Sequence, residues 1–274
     1  MMNERFGCST VTFGGDLPTK LDAMRKAGFA ATEITTRDMF ETLRGMDHTA
    51  AQIRASGLRL SGYQLLRDFE GCPRDLRQGK LERSRQIFEQ ARMLDADLVL
   101  LAANTSQDCS ADIGMICDDL AALGEVAASF GARVAIEGLC WATHLSDYRK
   151  VWEAVRRTDH PAVGIMLDSS HIGGIDLPFA PIRDIAGDKI FLVEIADLPK
   201  TSLPPMEVSL AYRLFPGEGV LDLVEFIRAI ESTGYDGYYS VEVFNAYYKQ
   251  LDPYATAARA LAALQSVSTR ATTA

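Results

Sequence analysis

Phe130-Gly131-Ala132-Arg133-Val134-Ala135-Ile136-Glu137 carries a helix end, a strand and a terminal acid within one short stretch. Glycine just past a helix adopts the left-handed conformation cheaply, and the apolar run behind it reads as a buried strand. The same punctuation recurs around Gly28, Gly57, Gly187 and Gly234. It predicts strands at 6–11, 31–34, 59–63, 98–102, 134–137, 163–167, 190–195 and 239–243. The first intervening helix shows the rule in detail: Asp16 caps, Pro18 suits the first turn, and Leu17, Leu21, Met24 and Ala27 share one face before Gly28.

Short, near-continuously apolar strands alternating with helical patterns, in a chain of 274 residues, predict the α/β class and a single-domain (β/α)8 TIM barrel, typically about 250 residues long. The barrel is placed at 1–267, with a helix near 254–267 and 268–274 as a frayed C-terminal tail. An open doubly wound sheet would need a phosphate-binding glycine fingerprint after the first strand, and the segment 12–18 is not one.

Lys and Arg number 28 against 37 Asp and Glu, a net charge of −9, with 47% hydrophobic residues. A domain of this size buries enough surface to fold without staples. The acidic balance argues against nucleic acid as a partner, because counterion release needs clustered cations. Cys8, Cys72, Cys109, Cys117 and Cys140 are odd in number and form no CxxC pair, which favours reduced thiols and a cytoplasmic protein. The start lacks a signal-peptide core, and the longest apolar stretch, 98–103, is too short to span a membrane.

Four predicted strands in the second half end on an acid: Glu137, Asp168, Glu194 and Glu242. In a barrel these tips share the rim where active sites are built. Converging carboxylates repel one another unless a cation lies between them, and all-oxygen ligation suits Mg²⁺, Mn²⁺ or a similar hard divalent ion. Each acid taken alone reads equally well as the cap of the following helix; four together favour a metal. Three Glu and one Asp around one ion also leave negative charge over, to be met by a shared proton, a protonated His171 or an arginine.

His144 and His171 follow the fifth and sixth strands closely enough to reach this rim as general acid or base. His48, in a helical pattern, and His160, in an Asp-His-Pro turn, read as structural. Arg67 and Arg213 fall on rim loops, where arginine clamps a carboxylate or phosphate; the plainer alternative is a salt bridge to Asp68, Glu70 or Glu218.

The segments 66–71, 137–149, 167–171, 193–197, 209–219 and 241–245 together resemble the sugar phosphate isomerase and epimerase superfamily of xylose isomerase-like barrels, and within it the bacterial 3-dehydroshikimate dehydratases. The resemblance runs from about residue 8 to about 248. It implies a lyase using one divalent metal ion (Mg²⁺, Mn²⁺ or Co²⁺) to convert 3-dehydroshikimate, a small hydroxy-ketone acid, to protocatechuate with loss of water. Glu137, Asp168 and Glu242 fall on the family's metal positions, His144 and His171 on its acid/base positions, and Arg67, Ser209 and Arg213 on its substrate positions, the arginines as a pair for the ring carboxylate. Glu194 departs from the family, which has glutamine at this ligand position. That departure favours the main alternative, a sugar or cyclitol isomerase, epimerase or dehydratase of the same superfamily. A DNA-repair endonuclease fits four histidines and net acidity poorly, and a catalytically silent barrel would bind no metal. The oligomeric state is left open, a homo-oligomer included.

Overall fold

The computed structural model describes residues 2–40 and 44–273. Its strands are β1 (Phe6–Ser9), β2 (Ala31–Thr35), β3 (Arg59–Arg67), β4 (Leu98–Ala102), β5 (Arg133–Glu137), β6 (Val163–Asp168), β7 (Ile190–Ile195) and β8 (Tyr239–Val241). They are parallel and close in sequence order into a barrel, β1 pairing with both β2 and β8. The helices are α1 (Leu17–Ala27), α2 (Thr36–Phe40), α3 (Met46–Ser56), α4 (Arg74–Met93), α5 (Ile113–Ser129), α6 (Tyr148–Thr158), α7 (Ser169–Gly174), α8 (Pro205–Ala211), α9 (Leu223–Glu231) and α10 (Pro253–Thr272). The predicted (β/α)8 architecture is the one observed.

The first βα unit follows its sequence closely. Asp16 Oδ1 accepts the Thr19 amide hydrogen bond at 3.0 Å, and Gly28 ends α1 at φ 106°. Gly187 has another reason to be glycine: a Cβ there would lie 2.3 Å from the Thr233 carbonyl oxygen, so close backbone approach, not a left-handed turn, selects it. β3 continues past its expected end, which makes Arg67 the tip of a strand rather than a loop residue. β8 ends at Val241, so Glu242 directly follows the strand.

Two apolar layers position the site. The larger lies between sheet and helices; the smaller, with Leu100, Ala135, Met166 and Leu192, fills the barrel interior. Side chains alternate along a strand, so Glu137, Asp168 and Glu194, each two residues beyond an interior residue, point inward one layer higher. Register shifts at Thr32/Glu33 and between Gln64 and Leu66 break the ladders beside the same rim. Such bulges re-aim side chains, and here Glu33 and Gln64 meet inside.

The expected frayed tail is corrected over 268–272. The apolar stripe of Ala260, Leu264 and Val267 continues to Ala271, and α10 runs on to Thr272 with Ser268 and Ala271 buried. Arg228 donates to the Ala271 carbonyl from Nε at 3.1 Å and to the Arg270 carbonyl from Nη2 at 3.2 Å. Residue 274 lies outside the described residues. Among those described, no helix is long and apolar enough to cross a membrane. Ending the chain after Val267 should lower the melting temperature by about 5 °C, from roughly 1–2 kcal/mol of lost packing and hydrogen bonding; calorimetry of the truncated chain checks this, and an unchanged melt would mark the segment as dispensable.

Candidate metal centre and active site

Glu137, Asp168, Glu194 and Glu242 converge at the carboxyl ends of the strands, all buried. Ligand atoms of Asp168, Glu194 and Glu242 lie within 4.8 Å of one another, and so do those of Glu137, Asp168 and His171. A fifth carboxylate, Glu33, joins them and is fully buried. Gln64 ties the group together: its Nε2 donates to Glu33 at 2.8 Å, Glu242 at 2.8 Å and Glu194 at 3.1 Å. Neither Glu33 nor Gln64 was singled out by sequence reasoning. Glu33 lies inside an expected strand rather than at its end, and only the bulge turns the two toward each other.

Asp168 caps a helix and also faces the cluster. Its Oδ1 accepts the Ser170 amide at 2.7 Å, capping α7, while Oδ2 faces the cluster. The surplus negative charge is met by arginine. Arg213 Nη1 donates to Asp168 Oδ2 at 2.7 Å and to Glu242 Oε2 at 3.1 Å. Nε donates to the Ser209 carbonyl at 2.8 Å, and Nη2 donates to Ser209 Oγ at 3.0 Å and lies 3.3 Å from His171 Nε2. With its donors so engaged, Arg213 is a wall of the site and Ser209 its brace. Glu218, the partner weighed for Arg213, instead accepts from Tyr248 and Arg259.

Burial holds His171 neutral, with its pKa down to about 3; the Asp168 charge opposes the shift and Arg213 adds to it. Its Nε2 is 3.5 Å from Glu137 and 3.6 Å from Asp168, and Trp141 packs edge-on against the ring. His144 goes elsewhere. Its Nε2 donates to the Cys109 carbonyl at 3.0 Å, and the residue does not line the cavity over the acids. Arg67 is exposed at the rim and lines that cavity, without an acidic partner among the described residues. The acids that might have paired with it are occupied: Asp68 accepts from Thr105 and Glu70 from Asn104. His160 is structural, as expected, its Nδ1 accepting from the Ala162 amide at 3.1 Å.

The residues fit a divalent cation. Glu33 Oε1, Glu137 Oε1 and Glu194 Oε2 are buried without a hydrogen-bond partner, and orphaned carboxylate oxygens are costly unless a cation or proton satisfies them. Burial first, then the neighbouring acids, raises the carboxyls of Glu137 and Glu194, and Glu33 is pushed up to about 7 by burial and Glu242. Arg213 goes the other way from what burial alone would do, its guanidinium held charged by Asp168 and Glu242.

A family model described as a xylose isomerase-like TIM barrel matches residues 21–266. A protein of Pseudomonas putida named 3-dehydroshikimate dehydratase is 41% identical over 86% of this chain and 37% of its own length. One of the same name from Pseudomonas aeruginosa is 37% identical over the same shares. This chain therefore spans little more than a third of the length of these curated relatives. Among solved structures, a xylose isomerase-like TIM barrel/4-hydroxyphenylpyruvate dioxygenase fusion protein superposes with a TM-score of 0.94 at 37% identity, covering 97% of this chain and 43% of that one.

The raised carboxyls give a signed pH dependence. An acid whose folded pKa exceeds its unfolded value binds more protons when folded, so stability falls as pH rises through that window, from 4.5 to about 7 for Glu33. In chelator-treated protein the melting temperature should therefore drop between pH 5 and 8, and Glu33→Gln should flatten the drop; parallel melting curves for the two proteins would contradict the assignment.

Proposed function

Because the chain belongs to the xylose isomerase-like TIM barrel family, we propose that it is a divalent-metal-dependent dehydratase that converts 3-dehydroshikimate to protocatechuate and water. One observation carries the choice within the family: Arg67, a cation without an acidic partner among the described residues, stands at the mouth of a buried acid cluster. An uncharged ketose or cyclitol has no use for it, whereas a hydroxy-ketone acid presents a carboxylate to match. The names and 37–41% identities of the Pseudomonas relatives support the same substrate.

Glu137, Asp168, Glu194 and Glu242 would hold the metal, Mg²⁺, Mn²⁺ or Co²⁺ suiting their oxygens. Once bound, it supplies Lewis-acid stabilisation of negative charge on a substrate oxygen. The chain's own residues do the rest. His171, held neutral by burial, takes the proton acidified by the adjacent ketone. His171 returns that proton to the departing hydroxyl, which leaves as water, and the ring becomes aromatic after tautomerisation. Arg213 and Ser209 hold the imidazole, and Trp141 closes one side against solvent. His144, tied to Cys109, shapes the loop that carries Trp141 rather than exchanging protons. Glu194 in place of the family glutamine is accommodated by Gln64, which donates to it. The reaction is assigned to the cytoplasm, in keeping with free thiols at all five cysteines.

The assay is direct. Metal-loaded protein given 3-dehydroshikimate should develop the absorbance of an aromatic catechol acid, and His171→Asn should lower kcat by about 10²–10⁴-fold. No product with any of the three ions would overturn the substrate assignment.

A further inference from the structure

Beside the acid cluster lies a second, larger cavity, and its electrostatics are opposite. The space over the acids is about 70 Å³, whereas the neighbour is about 410 Å³. Ligand sites typically run roughly 300–1,000 Å³, so a ring acid that reaches the carboxylates overfills the first space. The two share Gln64, Leu65, Arg67 and Phe244. Phe244 is the partition: Arg213 Cζ lies 5.0 Å from its ring centroid and Lys249 Nζ 5.6 Å.

Among the described residues, the larger cavity is lined by Lys20, Arg37, Arg67 and Lys249 and by one carboxylate, Asp38. This is a concentration of positive charge in a protein of net charge −9. Asp38 is already satisfied: its Oδ2 accepts from Thr10 Oγ1 at 2.6 Å, Thr35 Oγ1 at 2.8 Å and the Thr35 amide at 2.9 Å, and its Oδ1 faces Lys20 at 3.4 Å. Lys249 and Arg67 have no ion-pair partner among the described residues. The wall is built tightly, since a Cβ on Gly14 would fall 2.0 Å from the Lys249 carbonyl oxygen. The Lys249 amine is pushed down from its usual range by burial and then by Lys20 and Arg37, a repulsion that an anion would relieve.

Resting on the reading of the substrate as a ring carboxylate, we propose that this basic cavity receives its anionic end, with Lys249 and Arg67 as the cation pair that binds it. Arg213, whose donors are engaged with Asp168, Glu242, Ser209 and His171, is not the carboxylate clamp. The ring then spans the gap past Phe244, carboxylate toward Lys249 and ketone toward the acids. Lys249, Lys20 and Arg37 went unnoticed in the sequence because they follow three different strands and meet only when β1, β2 and β8 become neighbours.

Binding and turnover separate this proposal from the function it rests on. Shikimate, which carries the carboxylate and lacks the ketone, is titrated calorimetrically into metal-loaded wild-type protein, Lys249→Met and Lys249→Arg, with melting curves confirming that each is folded. Lys249→Met should weaken binding about tenfold, the usual scale for one charge-assisted contact, and Lys249→Arg should restore most of it. With 3-dehydroshikimate the Met variant should raise KM by a similar factor at nearly constant kcat. Unchanged shikimate affinity in Lys249→Met, or no shikimate binding to wild type, would overturn the cavity assignment; shikimate binding that depends on Lys249, without turnover of 3-dehydroshikimate, would overturn the reaction and leave the anion site standing.

Discussion

Arg213 is the contact on which the centre of this molecule depends. Five carboxylates buried at one end of a barrel repel one another strongly, and an unpaired charge in such a place costs several kcal/mol. The guanidinium is set between Asp168 and Glu242, with Gln64 donating to Glu33, Glu194 and Glu242 from the other side. The geometry is maintained from outside the cluster. Asp197, also fully buried, accepts from the amides of Leu198, Gly217, Gly219 and Leu221, which closes the long connection after β7. Asp197 and Leu214 exchange backbone hydrogen bonds at 2.8 Å, and Arg213 is thereby carried into the barrel mouth.

That arrangement divides the mouth by charge. The acids, two of them carried by β2 and the end of β8, form one cluster with a neutral histidine, where a cation belongs; Lys20, Arg37, Arg67 and Lys249 line the neighbouring cavity, where an anion belongs. Phe244 stands between them with a cation over each neighbourhood. A ligand that is electron-rich at one end and carboxylate-bearing at the other fits this polarity. The chain's overall acidity is thus unevenly spread, part of it being the site.

The strand-end acids were legible before any coordinates because each lies at a boundary that local patterning marks: an apolar run, then a carboxylate, then a helix. The barrel was legible for the same reason, eight times over. Roles were less so. His144 and His171 look alike in sequence, each a few residues past an acid, yet one is bound to a loop carbonyl and the other is packed against Trp141 inside the cluster. Arg67 and Arg213 look alike too, and they part because a strand tip leaves one exposed while the loop held by Asp197 buries the other.

Local sequence, then, was enough for the order of elements, the helix caps, the inward period of the strands and the convergence of Glu137, Asp168, Glu194 and Glu242, since all of these follow from residues near one another along the chain. Glu33, Gln64 and the cavity of Lys20, Arg37 and Lys249 emerged only with the closed barrel. Register shifts in β3, at Ser61 against β2 and at Leu65 against β4, set the first two, and pairing of β1 with β8 brings residues from opposite ends of the chain to one wall. Side-chain partners across such distances depend on register and closure, which no window of the sequence contains.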